Sequence, residues 1–367
     1  MRRELITWSV IAAVILGAFG LTVLVLNNTV YNASGFVRSY LAALERQDAA
    51  GALEILGDLG ELGDGDGGQP DGATEAPSNT ETPGSEESNP PRDSDNQDDA
   101  PEADDAEAGP SDVLLRRTAM SELTDVRLIS DTPTPDGTHR VTYAYTADGH
   151  PGRTTFEVRS TGLAFGLFPQ WEFVDGPLST MYVTVVGDAR FTANDLDLVS
   201  PTPNDPAGYL VFTPSSVLLN HDTTYLDAEP VTVAVTEAGA SVPTALMVQP
   251  NAKMIEQVQE EVNADLDQCT TQEVLMPTGC PFGQSMGNRI ITPPAWSITQ
   301  YPEVSLRAGD RSGEWIVPLT AGTAHLVVDV RSLFDGSVST FDEDVPFSVS
   351  YAVGFLPGDE LLITARF

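Results

Sequence analysis

The sequence predicts an α+β chain that is rich in β-strands and follows an N-terminal transmembrane helix. Three observations lead to this prediction: an uncharged apolar run at residues 5–26, short alternating segments between turn residues over much of 126–367, and amphipathic helical patterns that begin near residues 34 and 251. The chain has 367 residues. That length is enough for two or three domains after an anchor and a linker are subtracted.

The apolar run Leu5–Leu26 contains 22 residues without a charge. A helix of this length spans roughly 33 Å, close to the hydrocarbon thickness of a bilayer. A cleavable signal peptide has a shorter apolar region of about 7–15 residues and a small-residue cleavage site. Asn27-Asn28-Thr29 offers no such site. The sequence favours an uncleaved anchor, with a signal peptide and a buried core helix as the alternatives.

Basic residues near the anchor predict its orientation. Arg2 and Arg3 precede the span, and only Arg38 and Arg46 follow soon after it. This positive-inside bias places residues 1–4 in the cytoplasm. We therefore expect a single-pass protein of the plasma membrane, with everything from about Asn27 onward extracytoplasmic.

The charge balance excludes one class of partner. The chain has 54 acidic and 18 basic residues, for a net charge of −36. Nucleic-acid phosphates would be repelled along most of such a surface. Lys253 is the only lysine, a composition typical of a high-G+C bacterial genome, with a halophile as the alternative.

Cys269 and Cys280 are the two cysteines of the chain, and Pro277-Thr278-Gly279 between them is typical of a turn. In an exported protein such a pair predicts a disulfide. Closing this loop contributes roughly 3 kcal/mol in the chain-entropy model. A zinc site is the alternative, but two cysteines without a nearby histidine match it poorly.

The neck and helices are predicted at 27–60, with Ser34 capping the first helix and Asp48 the second. Residues 61–112 follow, with 17 acidic residues against the single Arg92. This segment has few large apolar side chains to offset the entropy of ordering. It is predicted to be a disordered acidic insertion or linker.

The segment 113–177 is predicted to be a meander of antiparallel strands. Ser111-Asp112 would cap a short helix that runs through Leu123. Strands at 126–129, 139–145, 154–158 and 169–174 are separated by turns at the Asp-Gly pairs 136–137 and 148–149.

The helices in FVRSYLAALERQDAAGALEIL, followed by a meander that ends in a WEF strand, resemble the nuclear-transport-factor-like (SnoaL-like) cone fold. The resemblance covers roughly 34–60 and 111–177 and makes 61–112 an insertion. Enzymes of that superfamily carry an acid or a histidine inside the cone. No residue here is matched to that role, and His139 and His150 are interpreted as surface residues.

Residues 178–250 are predicted to form a small β-sandwich of immunoglobulin-like type, because short strands alternate with proline-rich turns. A second α+β domain is predicted at 251–367. Asn251 would cap its helix, with Cys269 just past the end and a stripe of Met254, Ile255, Val258, Val262 and Leu266. CPFG and the following W-S-I and Y-P resemble uncharacterised anchored proteins of actinobacterial type, which implies no activity.

Catalytic motifs are missing from the sequence: it has no G-x-S-x-G elbow, P-loop, dinucleotide-binding glycine pattern or H-E-x-x-H. His221 with Asp222, and Asp342 and Asp344 around Glu343, are the candidates for a site assembled in space. Tryptophans 171, 296 and 315 are expected in the core. His325 completes the four histidines, which are widely spaced.

The sequence therefore predicts an anchored, non-catalytic envelope protein with no catalytic, cofactor or metal residues. Its modules would bind an envelope protein, a wall polymer or another copy of the chain, or would act only as a spacer. The alternative is a small-molecule-binding or enzymatic cone domain tethered at the membrane.

Overall fold

The structure is a computed structural model that describes residues 2–57, 109–164 and 166–366; the side chains of residues 2–13 and of Asn28 are not among the described atoms. Strands account for 48% of the residues and helices for 19%, in several sheets. The β-rich class predicted from the sequence is confirmed at this level. The acidic insertion was predicted at 61–112, and residues 61–108 of this segment lie outside the described residues.

Four α-helices are present in the described chain, and three of them begin at a side-chain cap. They are α1 (Arg2–Thr29), α2 (Ala33–Glu45), α3 (Ala49–Leu56) and α4 (Ala252–Thr270). Asp48 and Asn251 accept hydrogen bonds from the backbone N–H of Gly51 and Met254, as predicted.

The cap predicted at Ser34 is wrong. Asn32 caps α2, because its Oδ1 accepts from the Gly35 N–H at 2.7 Å. The N–H of Ser34 instead donates to Asp131 at 3.2 Å.

Within the described part of the chain, no helix is long and apolar enough to count as a candidate membrane span.

The first sheet is an antiparallel meander in chain order: β1 (Leu123–Pro133), β2 (Thr138–Ala147), β3 (His150–Ala164) and β4 (Phe168–Phe173). Asp148 and Gly149 both have positive φ in the β2–β3 turn, a conformation that favours Asp, Asn and Gly. Helix α2 packs on this sheet with buried side chains from both elements: Val37, Tyr40, Leu41, Leu44, Val141, Tyr143, Tyr145, Phe156 and Val158. We call this set the meander core.

Residues 178–250 form two four-stranded sheets. Their strands are β5 (Leu178–Val186), β6 (Arg190–Ala193), β7 (Leu196–Val199), β8 (Pro206–Phe212), β9 (Ser215–Asn220), β10 (Leu226–Ala228), β11 (Val231–Val235) and β12 (Ser241–Pro250). The sheet orders are β10-β12-β5-β8 and β11-β9-β6-β7, and only β5 and β12 pair in parallel among these strands.

The C-terminal sheet is built around one long hairpin. Its six strands are β13 (Arg289–Ile290), β14 (Ala295–Gln300), β15 (Arg307–Ala308), β16 (Trp315–Arg331), β17 (Val338–Leu356) and β18 (Glu360–Ala365). Buried residues of this sheet, of α4 and of the two sheets of residues 178–250 form one continuous cluster, which we call the large core.

Helix α4 buries the predicted stripe except for one residue. Met254, Val258, Val262 and Leu266 are buried, whereas Ile255 is 37% exposed, so its place in the stripe was wrong. Ile255 follows Met254 and is rotated about 100° from it around the helix axis. Cys269 lies in the last turn of α4 rather than past its end.

The helix predicted from Ser111 to Leu123 is also wrong: only a 3-10 turn, Arg117–Ala119, forms there. Ser111 is held on the edge of β8, because its N–H donates to Gly208 O at 2.9 Å and its carbonyl accepts from the Leu210 N–H at 2.8 Å. The apolar residues of the segment serve two cores. Leu114 and Ala119 enter the large core, and Leu115 and Met120 pack against the meander core.

Candidate functional site

Three strands of the meander bring together a carboxylate, an imidazole and an indole on the face that α2 covers. Asp131 lies on β1, His139 on β2 and Trp171 on β4. His139 Nδ1 lies 2.7 Å from Asp131 Oδ1, and its ring meets that of Trp171 edge-on with centroids 5.0 Å apart. The His139 side chain is 28% exposed, so this residue is neither fully buried nor fully exposed. His150, at the start of β3, is exposed as expected.

The surroundings fix the position of this pair. Asp131 Oδ2 accepts the hydrogen bond from the Ser34 N–H, and the Tyr143 hydroxyl donates to Ser34 O at 2.8 Å. With Nδ1–H donated to Asp131, His139 Nε2 is left as the proton acceptor. A carboxylate-oriented imidazole is suited to general base work if a substrate can approach it.

The space beside the pair is filled by side chains. Tyr40, Val141 and Phe156 are each 1% exposed or less, and the Tyr40 hydroxyl lies 3.1 Å from Pro177 O and 3.0 Å from Thr213 O. Burial raises the pKa of Tyr40, so this phenol remains neutral. A cavity of about 10 Å³ at the junction of the two cores has room for about one water molecule.

A second histidine site lies on the outer face of the C-terminal hairpin. His325 Nδ1 is 2.8 Å from Asp344 Oδ1, and its Nε2 is 2.8 Å from Asp342 Oδ1. The hydrogen bond with Asp344, followed by that with Asp342, raises the pKa of His325 above its usual 6.5. Both ring nitrogens donate when the imidazole is protonated, so the arrangement is a charge clamp between two strands. Glu343 points to the opposite face of β17 from its neighbours.

The third site is a buried histidine that follows β9. His221 is 3% exposed, and its Nδ1 lies 2.7 Å from Arg190 O. Its Nε2 is buried without a hydrogen-bond partner in the structure. Arg190 also pairs with Asp188 at 2.7 Å and with Asp359 at 3.4 Å. Burial acts to raise the pKa of Asp188, but hydrogen bonds from Arg190 outweigh it and lower that pKa.

His221 and Asp222 both line a groove of about 280 Å³ that also includes Arg190 and Asp197. No hydrogen bond joins Asp222 to His221 within the described residues, and Asp222 forms an isolated bridge with Asp227 instead. The neighbours in sequence therefore do not act as an acid–histidine pair. Among the side chains that the structure describes, no group of three or more His, Cys, Asp or Glu could hold a metal ion.

An open groove of about 620 Å³ runs over the outer face of β12, beside the edge strands β10 and β11. It is lined by Asp227, Ala228, Glu229, Pro230, Val231, Thr232, Ala245, Met247 and Gln249. Its volume falls in the range of ligand sites, and edge strands offer unpaired backbone groups to an extended peptide.

Cys269 and Cys280 form a disulfide, as predicted from their spacing. It joins the end of α4 to the loop before Phe282, whose ring packs against Trp296 and Phe347 with centroids 4.9 and 5.4 Å away. Trp296 and Trp315 are buried as expected, whereas Trp171 is only partly buried.

Sequence reasoning missed the Asp131–His139 pair, although a local signal pointed to it. His139 alternates along β2 with Val141, Tyr143 and Tyr145, so all four share the face that packs on α2. Asp131 lies opposite Val141, diagonal to His139, and this placement depends on the β1–β2 register, which has irregularities at Thr124/Arg127 and Leu128/Ser130.

Comparison with known proteins finds no match for this chain among protein-family models, curated proteins or solved structures.

Proposed function

We propose that this chain is a single-pass protein of the plasma membrane whose extracytoplasmic part is a non-catalytic binding or structural module of the cell envelope. The observation that carries the proposal is the surface of α1. Seven large apolar side chains between residues 14 and 25 are each more than half exposed: Val14, Ile15, Leu16, Phe19, Leu21, Leu24 and Val25.

These side chains point to all sides of the helix. Successive residues are rotated by about 100°, so Val14, Ile15 and Leu16 alone point to well-separated directions, and Leu21 and Leu24 fill much of the remaining arc. A helix that is apolar all round is found inside a core or inside a bilayer. No helix of the described part qualifies as a membrane span by itself, but that part does not include the side chains of residues 2–13, and the uncharged run continues in sequence back to Leu5. We therefore assign a bilayer as the surroundings of these side chains.

Two further features support export. Arg2 and Arg3 precede the apolar run, which favours a cytoplasmic N-terminus. The Cys269–Cys280 disulfide is stable in an oxidising compartment outside the cytoplasm.

Filled interiors support binding by a surface rather than catalysis in a pocket. We assign the α2–α3 pair on the β1–β4 meander to a cone-like domain, 178–250 to a small β-sandwich and 251–367 to a second α+β domain. The groove beside β10 and β11 is the surface we assign to the partner, which would be an envelope protein or a wall polymer. Asp227 and Glu229 in its lining favour a partner that is neutral or basic.

Cell fractionation tests the anchor. The full chain should stay in membranes that have been washed at alkaline pH, and protease added outside spheroplasts should remove the folded part. Release by the wash, or protection of the whole chain from external protease, would contradict the proposal. Replacing Leu16 and Leu21 together by Arg should weaken retention, because each Arg at the centre of a membrane helix costs about 2.5–3.5 kcal/mol on insertion scales.

A tethered small-molecule-binding or enzymatic domain is the second candidate, and the Asp131–His139 pair favours it. A thermal-shift screen of metabolites with the wild type and His139→Ala distinguishes the two. A compound that raises the Tm of the wild type alone would favour the enzyme or small-molecule site. Equal responses from both proteins would favour the surface-binding module.

A further inference from the structure

The turn between β3 and β4 is joined to the end of α1 by three contacts, although about 140 residues of sequence separate them. Asn27 Nδ2 donates to Leu167 O at 2.9 Å, and Trp171 Nε1 donates to Tyr31 O at 2.9 Å. The rings of Tyr31 and Phe168 pack with centroids 4.5 Å apart. The β3–β4 hairpin is therefore held at the level where α1 ends.

The β3–β4 turn combines an uncharged sequence with exposed leucines. Ser160 to Trp171 are twelve consecutive residues without a charge, between Arg159 and Glu172, which pair with each other. Leu163 is 59% exposed and Leu167 is 40% exposed, and Val30 beside the end of α1 is also exposed. Water solvates such a surface poorly, so a second apolar phase is its natural neighbour.

Three aromatic rings gather at the same place. Tyr31 follows α1 directly, whereas Phe168 and Trp171 come from β4. Tyr and Trp concentrate at the membrane–water boundary, where one part of the ring system is apolar and the other forms hydrogen bonds. Here that belt is assembled by the fold, because its members are distant in the sequence.

We propose that the β3–β4 hairpin is a second membrane contact, which inserts Leu163 and Leu167 into the headgroup–acyl boundary beside α1. The inference rests on the proposed anchor and names the lipid bilayer as the partner of this surface. The level of Asn27 supports it, because Asn27 follows Leu26 at the end of the uncharged run and binds Leu167 O. An acidic module is repelled by anionic lipid headgroups, so an uncharged element is the part that can approach them.

The β16–β17 turn supplies a matched control. Phe334 is fully exposed there, next to Asp335 and near Arg331. Among the described residues, no hydrogen bond, ion pair or ring contact joins this turn to α1. The full chain is prepared as Leu163→Cys and as Phe334→Cys, with the Cys269–Cys280 disulfide kept oxidised. Each protein is labelled with the same environment-sensitive fluorophore and placed in phosphatidylcholine–phosphatidylglycerol nanodiscs that carry a doxyl quencher near the headgroup.

We expect the label at 163 to be quenched at least about twofold more than the label at 334, because only the former reaches the lipid boundary. If the chain is retained in the nanodiscs and neither label is quenched, the hairpin contact is wrong and the anchor stands. Equal quenching of both labels overturns the hairpin contact too, because it shows that the probe itself partitions into lipid. A chain that does not enter nanodiscs contradicts the anchor, and the hairpin contact with it.

A second pair of variants tests the contact without a label. Leu163→Ser with Leu167→Ser should raise amide hydrogen exchange in 160–170 severalfold for the chain in nanodiscs, because the hairpin then loses its lipid contact. Leu333→Ser with Phe334→Ser should leave exchange in 160–170 unchanged. Identical exchange in the two double variants would overturn the proposal.

Discussion

The β3–β4 and β16–β17 hairpins both expose large apolar side chains at their turns, yet they differ in what surrounds those side chains. The β3–β4 turn is uncharged and is bonded to the end of α1, whereas the β16–β17 turn carries Asp335 and lies on the sheet that holds the His325 clamp. Exposure alone therefore does not identify a partner surface. The contacts that the exposed segment makes with other elements are needed as well.

The two cores also differ in the interactions that stabilise them. The meander core contains tyrosines whose hydroxyls form hydrogen bonds: Tyr40 with Pro177 O and Thr213 O, and Tyr143 with Ser34 O. The large core is mainly aliphatic and is closed by a disulfide. Ring packing occurs in both cores, but the first also uses tyrosine hydrogen bonds to backbone carbonyls and the second has a covalent link.

The largest effect is expected from Tyr40→Ala. Removing a fully buried aromatic side chain costs about 3–5 kcal/mol of unfolding free energy. Tyr40→Phe keeps the ring and leaves two carbonyls without this donor, so it should cost about 1–3 kcal/mol. Denaturant unfolding of both variants measures the difference. Equal loss in the two variants would show that the hydroxyl, and not the ring packing, accounts for the effect.

Replacing both cysteines by serine should cost roughly 3 kcal/mol in the chain-entropy model. Hydrogen exchange should show the loss around α4 and the β14–β16–β17 sheet, with the meander unaffected. Reduction of the wild type is the matched control and should produce the same pattern. A uniform loss of protection across both cores would show that the disulfide stabilises more of the chain than the large core.

Asn251→Ala should cost about 1 kcal/mol, because the first turn of α4 loses the acceptor for the Met254 N–H. Asp48→Ala removes the corresponding cap from α3 in the meander module. Thermal unfolding of the two variants compares the loss of stability when a helix cap is removed from α4 and from α3. A stabilised Asn251→Ala protein would show that the cap is not important for α4.

The smallest effect is expected at the His325 clamp, which lies at the protein surface. Because its pKa is raised on folding, the clamp contributes stability that is fully present below about pH 6.5 and is lost as the pH rises through the folded pKa. NMR titration should give a lower pKa for Asp344→Asn than for Asp342→Asn, since the bond with Asp344 has the larger effect. The reverse order would contradict the clamp geometry.

Features of the fold that depend on neighbours in sequence were predictable. The Asp148-Gly149 turn, the caps at Asp48 and Asn251 and the Cys269–Cys280 bond each follow from a few consecutive residues or a short loop. The meander followed from the same local turn signals.

Features that depend on two distant segments were not predictable. The residues from Leu114 to Met120 divide between two cores, and a single-helix interpretation of their pattern fails for that reason. The Asp131–His139 pair needs the strand register. The contact of Trp171 with Tyr31 needs β4 and the end of α1 to meet, which no local pattern encodes.

The central claim is that α1 lies in a bilayer, and photo-crosslinking tests it most directly. The full chain is reconstituted with lipids that carry a photoreactive group on the acyl chain, irradiated, and mapped by peptide mass spectrometry. We expect crosslinks within residues 5–26. Crosslinks spread over the folded part, with none in that run, would contradict it.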